Sequence, residues 1–312
     1  MPGNQVFTLR HWITRTKNKL LSELTACVSL PLIDSLAGPG VGIAALFSHR
    51  IRADYTVRAE LAREMFGLTT ALARRAAAIP LLENLIDRRI YFGRLRRADE
   101  AWPELDKVAA TLALALDRAK AERPGRPVIV SPFHYVSQYA NIYVIDKLRE
   151  ILRIESISVV SGVERNIYGD DNSQIPRVKV LSTYGDENRN GLGMRAARAL
   201  RRDGVAVIFA DAPPFTMHRY PMQTVDVSMF GRKARIHNGV FRLGASHDAH
   251  LLAFYLRLRK GRFNAEFFDP IALSDPEAPQ QLAGCIETAL LDNYPDWLLG
   301  GHPSLYAFSP IK

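Results

Sequence analysis

The sequence predicts an α/β protein with a mixed, mostly parallel central sheet flanked by helices and an N-terminal helical, membrane-associating extension. Short apolar runs alternate with helix-periodic segments from residue 127 onward, a pattern typical of strand–helix–strand units. A basic and apolar stretch with helical periodicity precedes them. No Ser/Gly-rich or acidic run divides the chain, so we expect a membrane-interface segment over 1–55 and one α/β domain over 56–312.

Composition restricts the partners. The chain has 312 residues and a formal net charge of +9, and a basic surface attracts nucleic acids, anionic lipid headgroups, nucleotide-linked thioesters and acidic carrier proteins. Zinc-finger spacing, an RNP-type strand and a heptad-linked basic region are missing from the sequence, so we do not expect nucleic acid as a partner. The two cysteines, Cys27 and Cys285, lie far apart, which argues against a disulfide framework and against a zinc site.

The N-terminal segment mixes aromatic, leucine and basic residues. Residues 7–24 have the composition of a helix lying in a membrane interface, or of a surface helix packed on its own domain. Residues 25–47 are apolar enough to suggest a membrane span, but Asp34 and Pro39 argue against one. We therefore predict two short helical pieces, broken at residues 38–40, that dip into the bilayer surface, and a full span stays open as the alternative.

Further helices follow. Residues 55–90 have helical spacing of apolar residues, interrupted at Pro80. Residues 88–97 form a dense cationic stretch with two aromatics, which is either a solvated face or a surface for lipid or carrier. Residues 102–121 are predicted to form another helix.

A histidine follows the first predicted strand of the α/β domain. The strand covers 128–130, and His134 comes directly after it, at the end of a parallel strand where open α/β sheets place their sites. Asp211 ends a later strand, as a turn former or as a site carboxylate. Strands are predicted at 128–130, 156–160, 205–209, 251–256 and 263–267, and helices at 141–152, 194–202, 240–249 and 280–293.

Five segments, in order and with sensible spacing, carry a family resemblance. They are SPFHYVSQY (131–139), ALRRDGVAVIFAD (199–211), MFGRKARIHNGVFRLGAS (229–246), FYLRLRKGRFNAEFFDPI (254–271) and LLDNYPDWLLGGH (290–302). Over roughly residues 120–305 the chain resembles the bacterial lipid A biosynthesis acyltransferases of the late, lauroyl/myristoyl type, within the lysophospholipid acyltransferase superfamily.

The resemblance implies acyl transfer from an acyl-carrier-protein or coenzyme A thioester to a hydroxyl or amine, with His134 as general base. It implies no metal or tightly bound cofactor, and a place at an anionic membrane surface on the cytoplasmic face of the inner membrane, with a soluble enzyme as the alternative. Residues contacting substrate are expected at Arg165 and after the aromatic–glycine pair, at Gly231, Arg232, Lys233 and Arg235. The other interpretation of these cations is a solvated basic turn.

One position departs from the family. The acid that follows the histidine would fall at position 139, where this chain has Tyr139. Tyrosine can hydrogen-bond His134 but does not supply a negative charge at neutral pH. Three alternatives stay open: a carboxylate from elsewhere, Asp211 or Asp171, replaces it; His134 suffices alone; or the chain has lost catalysis and kept the binding of an acyl-lipid or acyl carrier. The polar stretch 162–190 is either a surface excursion or a loop over the site.

Overall fold

Four helices with both ends among the described residues precede the sheet. The structure, a computed structural model, describes residues 16, 20, 23–96, 100–161, 177–182, 191–214 and 223–301. The helices are α1 (Leu30–Phe47), α2 (His49–Phe66), α3 (Thr70–Arg96) and α4 (Pro103–Glu122). Most of the predicted interfacial helix over 7–24 lies outside the described residues.

Two expected helix breaks are wrong. Helix α1 continues through Pro39, and α3 continues through Pro80. A proline inside a helix removes one main-chain hydrogen bond and crowds the preceding turn. Its φ angle is nevertheless helical, so a packed helix can run through it. The actual breaks lie at Ser48 and after Phe66, where α2 begins and ends.

The sheet has seven strands in the spatial order β3-β2-β4-β1-β7-β8, with β9 also pairing with β7. The five strands from β3 to β7 are parallel to their neighbours, whereas β8 and β9 pair with β7 in antiparallel fashion. The strands are β1 (Val128–Pro132), β2 (Ile157–Ser161), β3 (Val178–Ser182), β4 (Val205–Ile208), β7 (His250–Arg259), β8 (Arg262–Phe267) and β9 (Ile271–Ala272). The predicted mixed, mostly parallel sheet is confirmed.

Helices cover this sheet, and a separate hairpin lies beside it. The later helices are α5 (Gln138–Ile151), α6 (Leu192–Asp203), α7 (Gly239–Ala245) and α8 (Ala278–Asn293). The hairpin pairs β5 (Thr224–Met229) with β6 (Arg232–His237). The sequence analysis missed β3, β5, β6 and β9, although β5 and β6 alternate apolar and polar residues as half-buried strands do.

Helix α1 is apolar on two sides. Its inner face, with Ile33 and Ala37, belongs to the same core as the sheet. Its outer face exposes large apolar side chains: Leu32, Leu36, Ile43, Leu46 and Phe47. By length and composition this helix could cross a membrane. It is compatible with membrane association and equally with a soluble protein.

Candidate active site

His134 and Asp211 meet because they follow neighbouring parallel strands. Strands β1 and β4 pair in register, with Val130 opposite Val207. His134 lies two residues beyond the end of β1, and Asp211 lies three residues beyond the end of β4. The carboxyl ends of parallel strands share one edge of the sheet, so both side chains arrive at the same point.

The Asp211 carboxylate binds His134 through both oxygens. Oδ1 lies 2.7 Å from Nδ1 of the imidazole, and Oδ2 accepts a hydrogen bond of 2.8 Å from the main-chain N–H of His134. The aspartate side chain is 1% exposed and the histidine side chain 11%. The carboxylate is therefore enclosed, while the imidazole keeps one edge open.

This geometry assigns a role to each ring nitrogen. An ionised carboxylate only accepts hydrogen bonds, so Nδ1 carries the proton that it shares with Asp211. Nε2 is then the unprotonated nitrogen, available to accept a proton from another molecule. The ring of Phe209 lies 4.8 Å from the imidazole, centroid to centroid, and gives the site an apolar wall.

The loop that carries His134 is strained and tightly bonded. Val136 has a φ of 64°, and a β-branched residue in the left-handed region costs about 1–3 kcal/mol. The side chain of Asn141, on α5, donates to the carbonyls of Phe133 and Ser137. Such strain persists only where the surroundings hold it, and it is frequent at functional sites.

The main-chain N–H groups of residues 134–137 are all occupied. That of His134 binds Asp211, and that of Val136 donates to the carbonyl of Asp296 at 2.8 Å. Those of Tyr135 and Ser137 donate to carbonyls within the loop. These amides are therefore not free to bind the oxyanion of a reaction intermediate. The N–H of Ala212, beside Asp211, has no protein partner among the described residues and is the better candidate.

A segment near the end of the described chain completes the site. The indole Nε1–H of Trp297 donates to Asp211 Oδ2 at 3.1 Å, and the N–H of Leu298 donates to the carbonyl of His134 at 2.9 Å. Sequence reasoning assigned no role to Trp297. The sequence did contain an indication of Trp297, because Asn, Pro and Trp occur together in the last of the five segments that carry the family resemblance.

Tyr139 lies away from the imidazole. It begins α5, its main-chain N–H donates to Asp87 at 3.3 Å, and its ring packs edge-on against Tyr91 at 5.5 Å. Burial raises its pKa to about 12, opposed by a hydrogen bond from Arg94. Within the described part of the chain it makes no hydrogen bond to His134. The hydrogen bond to His134 that a tyrosine at this position could make is therefore not formed, and Tyr139 packs between α5 and α3.

Two carboxylates on α3 hold the start of α5. Asp87 is buried and accepts hydrogen bonds from the Ser137 hydroxyl and the Tyr139 N–H. Glu83 accepts from the main chain of Gln138, and burial, followed by the charge of Asp87, raises the pKa of Glu83 to about 8. Sequence reasoning missed this pair, whose partners lie 50 or more residues away along the chain.

The proposed substrate-binding cations lie on the β5–β6 hairpin. Phe230 and Gly231 form its turn with φ of 52° and 69°, the two positive values that a tight two-residue hairpin turn needs. Three basic residues follow on β6: Arg232, Lys233 and Arg235. Arg235 pairs with Asp226 at 3.1 Å on an exposed surface.

An aromatic series leads from this hairpin to the site. Phe230 packs against Phe66 on α2 at 5.7 Å, and Phe66 stacks on Tyr294 at 4.1 Å. Tyr294 in turn lies 6.0 Å from Trp297. The contacts connect the hairpin turn to the residue that binds Asp211. Arg165 and Asp171 lie outside the described residues, as does most of the polar stretch 162–190.

The cationic stretch 88–97 is partly internal. Arg89 is buried and forms a two-point ion pair with Glu100, and Arg94 pairs with Asp146 at 3.3 Å. At least these two guanidinium groups therefore serve packing, and they do not present free charge to a lipid or carrier.

No protein-family model matches the sequence, and no curated protein matches it significantly. Among the residues that the structure describes, no group of three or more His, Cys, Asp or Glu side chains is arranged to hold a metal ion. The geometry of the His134–Asp211 pair and its surroundings is therefore what indicates the function.

Proposed function

We propose that this protein is an acyltransferase of the lipid A biosynthesis type, acting at a membrane surface. It would move an acyl group from a carrier-protein or coenzyme A thioester to a hydroxyl or amine. The observation that supports the proposal best is the contact of 2.7 Å between His134 Nδ1 and Asp211 Oδ1. It supplies from a second strand the carboxylate that position 139 lacks.

In the proposed reaction Asp211 holds the Nδ1 proton, and Nε2 of His134 takes the proton of the attacking hydroxyl or amine. The acceptor oxygen or nitrogen forms a bond to the thioester carbonyl carbon. The carbon–sulfur bond then breaks, and the departing thiolate receives the proton from His134. Asp211 stabilises the imidazolium between these two transfers.

The surface of α1 supports an interfacial location. Phe47 is 86% exposed and Leu46 73%, and a contiguous apolar patch of this kind is typical of a membrane or protein contact. Exposed basic side chains follow at His49, Arg50 and Arg52. Apolar side chains beside cations match the headgroup region of an anionic bilayer, so we favour a peripheral or monotopic location on the cytoplasmic face of the inner membrane.

The test is acyl transfer by the purified full chain, followed by mass spectrometry. Acyl coenzyme A and acyl carrier protein are each offered with a panel of lipid and amine acceptors. We expect transfer by the native protein and by His247→Ala, whose histidine is bonded to α7, away from Asp211. We expect none by His134→Ala. Donor binding without transfer to any acceptor would contradict the proposal and leave a binding protein.

A further inference from the structure

Asp211 is held at both oxygens by different groups. Oδ1 contacts the imidazole, whereas Oδ2 accepts from the His134 main chain at 2.8 Å and from the Trp297 indole at 3.1 Å. A carboxylate rotates about a broad, twofold torsion when only one oxygen is fixed. The donors at Oδ2 therefore set the plane in which Oδ1 meets Nδ1, and Trp297 is a donor from a distant part of the chain.

Trp297 is itself fixed by the strained histidine loop. The indole is 1% exposed. Its neighbours on both sides bind the loop, since the Asp296 carbonyl accepts from Val136 N–H at 2.8 Å and Leu298 N–H donates to the His134 carbonyl at 2.9 Å. Tyr135 and Trp297 also form an antiparallel bridge. The segment 296–298 and the histidine loop thus determine each other's position.

The side chain of Asp296 anchors the segment 296–298. This carboxylate is fully buried and binds Arg75 at 2.5 Å, Arg259 at 3.0 Å and the amide of Asn293 at 3.1 Å. Two cations and an amide from three elements leave Asp296 little freedom. The indole N–H therefore points at Asp211 from a fixed support.

We propose that Trp297 is a positioning residue for the His134–Asp211 pair. Its indole N–H orients the carboxylate, and the carboxylate in turn keeps the imidazole in the form with Nδ1 protonated and Nε2 free. The inference deepens the proposed function and rests on it. The competing explanation is a core tryptophan whose buried N–H only needs an acceptor, and in that case loss of the N–H would lower stability without affecting the imidazole.

The experiment replaces Trp297→Phe, which keeps an aromatic ring and removes the donor. Trp102→Phe is the matched control, because that indole is also buried but its N–H has no partner in the described structure. Imidazole ¹⁵N NMR of the full chain reports the tautomer of His134 and the exchange of its Nδ1 proton with water. We expect faster exchange and mixed tautomers in Trp297→Phe, with a native spectrum in Trp102→Phe.

Kinetics give a second readout. Changes in groups that orient a functional side chain typically cost about 10- to 100-fold in activity, so we expect a fall of that size in kcat for Trp297→Phe with KM for the acyl donor nearly unchanged. In an Asp211→Asn background the same substitution should have no further effect, because its route to His134 is already lost.

The outcomes separate the two proposals. Native imidazole signals in folded Trp297→Phe, or an equal loss of kcat in both backgrounds, would overturn the positioning role. A native protein without acyl transfer, but with the expected imidazole change, would contradict the proposed function alone. If Trp297→Phe does not fold, the indole N–H resonance of Trp297 is compared in native protein and Asp211→Asn, and an unchanged resonance would also overturn the inference.

Discussion

The carboxylate of Asp34, near the start of the apolar helix α1, lies 2.7 Å from Nη1 of Arg75 on α3. Its second oxygen accepts from the main-chain N–H of Gly261, at the β7–β8 turn, at 3.1 Å. In the sequence Asp34 is a charge that disfavours a full membrane span by this segment. In the structure this charge is paired on the inner face, so the outer face stays apolar.

Replacing Arg75→Met should strongly destabilise the protein. Arg75 pairs with Asp34 and also with Asp296, both largely buried, and removing one partner of a buried ion pair typically costs about 3–5 kcal/mol. Urea unfolding measures the change. Arg202→Met, which removes an exposed pair with Asp203, should cost about 1 kcal/mol or less. Equal losses in the two variants would show that the buried pairs are not structurally important.

Asp211→Asn should nearly abolish acyl transfer. The amide can offer an N–H where Nδ1–H needs an acceptor, which favours the wrong imidazole tautomer, and in a serine-protease triad such a change lowers kcat about 10⁴-fold. Tyr139→Phe should change kcat/KM by no more than about 2-fold. Tyr139 contacts α3, so the substitution removes no interaction with the reacting groups. Steady-state kinetics compare both variants. A large loss of kcat/KM in Tyr139→Phe would show that the tyrosine acts in the site.

Stability should fall as pH rises between about 4.5 and 8. Burial and the charge of Asp87 raise the pKa of Glu83 from 4.5 to about 8, so the folded protein keeps a proton that the unfolded chain releases. The stabilisation from neutral Glu83 is complete below the unfolded value and is lost as pH rises through the folded value.

Glu83→Gln imitates the neutral form at every pH. Relative to the native protein it should gain about 4 kcal/mol of unfolding free energy between pH 5 and pH 8.5, measured by urea unfolding across the range. The matched Glu150→Gln alters an exposed carboxylate on α5 and should show little pH dependence. A constant difference between Glu83→Gln and native protein would contradict the shifted pKa.

Two Gly→Ala changes should have opposite effects. Gly261 has a φ of 71°, and an added Cβ would overlap the backbone of Pro31 at the start of α1, so Gly261→Ala should cost about 2 kcal/mol or more. Gly284 lies in α8, where an added Cβ meets nothing within 4 Å, so Gly284→Ala should stabilise by about 0.5–1 kcal/mol. Thermal unfolding distinguishes them, and two shifts of the same sign would count against the close contact of α1 with the β7–β8 turn.

Phe47→Asp should weaken binding to vesicles that contain anionic lipid. Phe47 is the most exposed large apolar residue of α1, and a carboxylate there adds both a desolvation cost and repulsion from the headgroups. Co-sedimentation with phosphatidylglycerol vesicles measures the change. Leu114→Asp alters an apolar side chain on α4 that is 60% exposed, and it should bind as the native protein does. Equal binding by all three proteins would show that α1 is not the surface that binds the membrane.

The sequence predicted five strands of the sheet and two residues of the candidate site. Apolar strand runs placed His134 and Asp211 at strand ends, and a parallel sheet brings such ends together, so Asp211 could be named in advance as a possible partner. The order of strands decides which ends are neighbours, and the sequence did not determine that β4 pairs with β1. Asp171, the other candidate, could not be separated from Asp211 by pattern alone.

The remainder of the site depends on long-range contacts. The bond from Trp297 to Asp211 joins residues 86 positions apart, and the bonds between Asp87 and α5 span about 50. Periodicity reports which face of an element is buried and does not report which distant side chain meets it. The predicted helix breaks at Pro39 and Pro80 were wrong for the same reason, because tertiary packing decided whether the helix continued.

The bonds between the histidine loop and residues 296–298 also have a consequence for synthesis. Ribosomes build the chain from its N-terminus, and the sheet strands β1 and β4 are both made before residue 210. His134 and Asp211 can therefore meet while residues 212–312 are still missing, but Val136 has no carbonyl to bind until Asp296 emerges. The histidine loop therefore has all of its main-chain partners only after translation has passed Leu298.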